Sequence, residues 1–172
     1  MTKRLMTMMA IAGIASAFAS QIASAASVRQ TVLRFSTMYA VDGPFVGEEN
    51  PIRDIPGDGL PWAIRNAEGS LLSDGTLTIS VHGLVFTRDP EVPPELRGIN
   101  DEDHFRGIVS CLTEEGDNVG MSHVATVGFP ATRGGDAFIS QRLKLPNPCV
   151  APIIFVAAGD EDDWLAVTGV EN

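Results

Sequence analysis

The chain predicts an all-β fold: an antiparallel β-sandwich, immunoglobulin-like or a related Greek key, with about seven or eight strands and one disulfide. Three observations carry that expectation. No helical period sustains itself after residue 27. Short apolar or alternating runs recur instead, each ended by Gly, Pro, Asp or Asn. Only two cysteines occur, Cys111 and Cys149, in a chain whose start resembles an export signal.

The strands follow in order. "VRQTVLRFSTM" (28–38) reads as the first, and a Gly- and Pro-rich loop spans 40–62. "EGSLLSDGTLTI" carries Asp74-Gly75, a hairpin signal because the tight turn needs positive φ. In "TLTISVHGLVF", Leu77, Ile79, Val81 and Val85 share one face, with Thr76, Thr78, Ser80 and His82 on the other. That is the period of a half-buried strand. Residues 87–103, "TRDPEVPPELRGINDED", contain prolines that forbid a central strand. "FRGIVSCLT" (105–113) puts Phe105, Val109 and Cys111 on one face, and "NVGMSHVATVGF" (118–129) follows. "DAFISQRLKL" (136–145) sets Ala137, Ile139, Leu143 and Leu145 in phase. "CVAPIIFVAA" (149–158) is too apolar for a half-wet strand and is expected at the centre of a sheet. "WLAVTGV" (164–170) closes the chain and should pair antiparallel with it through residues 159–163. The acids of that connection, Asp160 to Asp163, are expected to be mostly exposed and without short contacts to Arg.

The N-terminus reads differently. Lys3 and Arg4 precede the apolar run Leu5–Phe18, and Ala23 and Ala25 form an A-x-A cleavage site. This is the pattern of a secretory signal peptide. The expected division is a signal peptide over 1–26 and one domain over 27–172, secreted or periplasmic, with no membrane span once the signal is cleaved. The remaining chain carries ten basic residues against 22 acids, a net charge of −12. Such a surface repels phosphate backbones, so nucleic acid is a poor partner.

In an oxidising compartment a single pair of thiols bonds, which predicts Cys111–Cys149. Closing that loop should contribute about 4 kcal/mol in the chain-entropy account.

"IPGDGLPWAI" (55–64), "HGLVF" (82–86), "IVSCLT" (108–113) and "LPNPCVAPIIFVAA…WLAVTG" (145–169) resemble a family of uncharacterised secreted bacterial proteins. Their common ending is P-C-x-A-P-I-x-F-V…W-x-A-V-T-G. The resemblance implies one secreted domain with paired cysteines. It carries over no catalytic residue.

Motifs for chemistry are sparse. G-x-S-x-G, H-E-x-x-H and C-x-x-C are all missing. Ser110, His123 and a nearby acid could compose a hydrolytic trio, as scattered residues can in many secreted chains. Calcium needs about six to eight converging oxygens. Neighbouring acids in an extended tip point in alternating directions, so Asp101 and Asp103 would have to meet Asp160 and Asp162 to make even a weak calcium site. Trp62 is either a ligand-contact ring or an anchor holding its loop to the core. The leading expectation is therefore a secreted, non-enzymatic binding, accessory or cell-surface module without a cofactor, whose partner is an extracellular ligand or protein. The alternatives are an extracellular hydrolase with a site in loops 40–62 or 87–103, and a calcium-dependent adhesion or matrix component.

Overall fold

A computed structural model describes residues 29–159 and 161–170; the expected signal peptide and Asp160 lie outside them. The described strands are β1 (Thr31–Phe35), β2 (Met38–Ala40), β3 (Trp62–Ala63), β4 (Asn66–Leu72), β5 (Thr76–His82), β6 (Val85–Phe86), β7 (His104–Glu115), β8 (Asn118–Ala125), β9 (Phe129–Pro130), β10 (Ala137–Arg142), β11 (Val150–Ala158) and β12 (Trp164–Thr168). One sheet has the order β1-β4-β5-β10. The other runs β2-β12-β11-β7-β8, with β9 continuing alongside β7. β3 and β6 form a small separate ribbon. All these pairings are antiparallel.

The four-stranded sheet forms as its alternation dictates. Leu77, Ile79 and Val81 of β5 are fully buried, while Thr76, Thr78 and Ser80 face outward. Burying each such aliphatic side chain contributes about 2 kcal/mol. The β4–β5 hairpin closes at Asp74-Gly75, where Gly75 has φ +84° and packs too tightly on the Leu143 carbonyl for any Cβ. Asp74 accepts the Thr76 N–H at 3.1 Å. Between the sheets, Gly107 of β7 leaves the space that Leu77, Ile79 and Ile139 fill from the opposite layer.

The strand count exceeds the expected seven or eight because short elements escape periodicity. The run 28–38 is not one strand: it breaks at Ser36, with β1 joining the smaller sheet and β2 the larger. The segment 118–129 likewise divides into β8 and β9. Residues 87–103 contain no strand, and Val92 anchors them with no exposed surface.

Cys111 and Cys149 are bonded, with Cα atoms 4.9 Å apart. The bridge ties β7 to the start of β11 within one sheet. β11 is central, flanked by β7 and β12. The 159–163 connection joins β11 and β12 as expected, pairing Phe155 with Val167.

What the alternation did not reveal is a third layer. Segment 42–60 is a strap lying across the outer face of the larger sheet. A short 3-10 turn, Gly43–Phe45, opens it, capped by the Asp42 carboxylate on the Gly43 N–H at 2.7 Å. Phe45 then meets Tyr39 edge-on at 5.9 Å and Trp164 at 6.2 Å. The returning arm bonds β12 through Trp164 N–H to the Pro56 carbonyl and Asp58 N–H to the Trp164 carbonyl. Phe155, Trp164 and Val167 are buried beneath it. The strap explains why "PIIFVAA" and "WLAV" are apolar throughout: one face packs on the sandwich core and the other on the strap.

Candidate functional site

The tip of the strap is Ile52-Arg53-Asp54-Ile55. Ile52 and Ile55 exchange both backbone hydrogen bonds, at 3.0 and 3.1 Å, around a two-residue turn. Arg53 and Asp54 both have positive φ, 53° and 61°. Turns of this kind favour Asn-Gly, and a side chain there costs roughly 1 kcal/mol per residue. Ala151, at φ 47°, is the third such non-glycine among the described residues. It lies in the β11 bulge, and its carbonyl accepts the Arg53 guanidinium at 3.1 Å. Among the described residues the left-handed non-glycines are thus linked, Arg53 to its neighbour Asp54 along the chain and to Ala151 through this bond.

Beside this turn is a recess lined by Asp54, Ile55, Pro56, Ile108, His123, Ala125 and Asp162. Its floor is apolar and its rim carries two carboxylates and an imidazole. Three buried polar atoms of the same region have no hydrogen-bond partner: Arg53 Nη1, Arg106 Nε and Ser110 Oγ. Arg106 and Ser110 flank Ile108 on the outward face of β7, and Ser110 stands directly opposite His123. Ser110 has no exposed surface, so substrate cannot reach its hydroxyl in this conformation. A wider recess near the β4–β5 turn is lined by Asp74, Arg142 and Lys144, and there Asp74 lies 3.0 Å from Arg29 and 4.0 Å from Arg142.

The hairpin tip forms the rim. The expectation that its acids touch no Arg is wrong. Arg106 donates to the Asp162 carboxylate at 2.7 Å and also to the Glu161 carbonyl. The partner comes from β7, whose Arg106 stands opposite Ala157 near the end of β11. Local sequence around the tip could not reveal it. Asp162 itself remains 94% exposed, so the pair is well screened.

Three loops share one acidic end. Burial pushes the Asp58 carboxyl above its ordinary range, opposed by the Leu60 N–H and the Trp62 side chain and reinforced by Asp163 and Glu161. The Leu60 bond is 2.8 Å, whereas the Trp62 indole N–H falls outside hydrogen-bond geometry. Burial likewise raises Glu102, helped by Asp101, Glu161 and Asp58 and opposed by the Gly159 N–H. Asp163 is raised by burial, then by Glu161, Glu48 and Asp162.

Of the proposed calcium residues, the three that are described do not form a cluster. Asp101 and Asp103 are exposed, Asp160 lies outside the described residues, and Asp162 faces Arg106. Among the described residues no group of three or more His, Cys, Asp or Glu is arranged to hold a metal ion. The loops do approach, but through Glu102. Trp62, read as a ligand-contact ring or an anchor, is the anchor. It is 2% exposed and stacks on Phe86 at 4.1 Å. Asn100 was not singled out by sequence. Its buried amide bonds Glu102 and Thr132 and holds the acidic loop in place.

No protein-family model, no curated protein and no solved structure matches the chain. No helix among the described residues is long and apolar enough to cross a membrane.

Proposed function

We propose that the chain is an exported, non-catalytic binding module whose recognition site is the recess beside the Arg53-Asp54 turn. The observation that carries this reading is the strained turn itself. Asp54 of that turn lines the recess with Asp162 and His123 above an apolar floor, while its left-handed neighbour Arg53 reaches the left-handed Ala151. Strain of this kind persists where the surrounding structure over-determines it, and it clusters at ligand sites. Asp54 and the acidic loops nearby favour a cationic group, which would share Asp162 with Arg106 while Ile55, Pro56 and Ile108 receive its apolar stem. The opposition of Ser110 and His123 favours a hydrolytic reading instead, but burial of the hydroxyl opposes it.

Two probes separate these readings. Arginine amide, titrated into the protein and followed by amide NMR shifts, should perturb Asp54, His123, Ala125 and Asp162. A fluorophosphonate should leave Ser110 unlabelled. Labelling that disappears in His123→Ala would establish the hydrolase, and absent shifts at the recess would remove the binding site.

A further inference from the structure

We propose that the outer edge of β8 accepts an extended peptide with basic residues at both ends, added as a further strand, with one basic side chain entering the recess. The inference rests on the binding-module reading and names the partner of that site.

β8 is eight residues long and ends its sheet; among the described residues no strand pairs with its outer side. Natural edges are blunted by charge, proline, bulges or brevity. The other edges show such devices. β2 has three residues, β1 carries Arg34 and a bulge, and β10 ends at Arg142. β8, "NVGMSHVA", has no Lys, Arg, Asp, Glu or Pro. Val119 is 76% and Met121 40% exposed. Alternation places them on the same face as His123 and Ala125, which line the recess. A strand added here would gain main-chain hydrogen bonds, and alternate side chains would run along that face into the recess.

Charge selects the occupant. One end of β8 adjoins Glu114 and Glu115 at the end of β7 and Asp117 in the connecting turn, all exposed. The other end meets Asp54 and Asp162. A second copy pairing antiparallel about a two-fold axis would set the acidic turn of each chain beside the acidic recess of the other. Like charges brought together at an interface oppose association. A peptide with basic ends and an uncharged middle complements both.

The test uses the domain from residue 27 onward and a blocked peptide of alternating Val and Thr, as long as β8, with Lys or Arg at both ends. Calorimetry should detect binding that weakens with salt. Amide hydrogen exchange should slow along β8. The double variant Asp54→Asn/Asp162→Asn should bind about tenfold more weakly. The same peptide with Glu at both ends, or with alternate backbone nitrogens methylated, should fail to bind. Unchanged exchange on β8, equal binding of the Glu-ended peptide, or concentration-dependent dimerisation that protects β8 would overturn the proposal. If arginine amide binds while the peptide leaves β8 unprotected, the recess survives and the edge proposal falls. If neither binds, both fall.

Discussion

In the four-stranded sheet β5 buries one face and keeps the other wet, whereas in the larger sheet residues 154–158 of β11 and 164–167 of β12 are buried on both. The first arrangement is satisfied by local alternation. Leu77, Ile79 and Val81 find Gly107 and the opposite sheet, and Thr76, Thr78 and Ser80 stay at the surface. The second needs a long strap, and the strap brings strain with it. Arg53, Asp54 and Ala151 are all left-handed, and unpartnered polar atoms gather near them. The difference teaches where this molecule has room for recognition. The regular sheet satisfies its own core by alternation, and its recesses lie at the surface of β1, β4, β5 and β10, while the strapped sheet sets a recess beside unmatched polar atoms and an uncharged edge.

The largest effects should come from the two cores. Ile79→Ala, in the regular sheet, should destabilise the whole domain by about 3–4 kcal/mol, measured by denaturant unfolding. Phe45→Ala removes the ring between Tyr39 and Trp164 and should cost about 2–3 kcal/mol. Its hydrogen-exchange signature should be confined to 42–58 and the outer face of β12. A uniform increase in exchange after Phe45→Ala would erase the distinction between the two regions.

Acidity should sharpen the comparison. Asp58, Glu102 and Asp163 have raised folded-state values, so the native chain takes up protons before the unfolded chain does. Stability should therefore rise as pH falls from neutral through those raised values towards the ordinary 3.8 of Asp and 4.5 of Glu. Asp74 acts oppositely. Its value is lowered by bonds from Thr76, so its contribution is lost only as pH falls below 3.8. Thermal unfolding across this range should show a maximum on the acid side of neutrality. Asp58→Asn, which keeps an acceptor for the Leu60 N–H, should flatten the rise.

Relief of strain is a smaller effect. Asp54→Gly should raise stability by about 0.5–1 kcal/mol in denaturant unfolding, because Gly adopts positive φ freely. It should also weaken arginine-amide binding. A stabilised variant with unchanged binding would separate the turn from recognition. The smallest effect belongs to the hairpin tip. Asp162→Asn should cost about 0.5 kcal/mol by thermal melting, since Arg106 loses an exposed partner. Neutralising Glu161 and Asp163 should cost nothing or stabilise slightly.

What the sequence disclosed follows this same division. Local period and turn chemistry made β4, β5 and the Asp74-Gly75 hairpin legible, and the unbroken apolar run of 149–158 marked β11 as central. The lone cysteine pair indicated its own bond. The strap was legible only as a Gly- and Pro-rich loop, because its partner Trp164 lies far along the chain. The same holds for Arg106 and Asp162, more than fifty residues apart. Ser110 and His123 were named from sequence as members of a hydrolytic trio. Their opposition across β7 and β8 appears only once the register is fixed, and the burial of Ser110 only once the strap is laid down.

Native-state hydrogen exchange with and without arginine amide tests most directly whether the strap builds the site. The account predicts that amides of 42–58 open locally, with less free energy than those of β4 and β5. Arginine amide should slow exchange in the strap, at its contacts on β12 and beside His123, and leave β4 and β5 unchanged. Opening of strap and regular sheet in one common step, with no response to arginine amide, would contradict it.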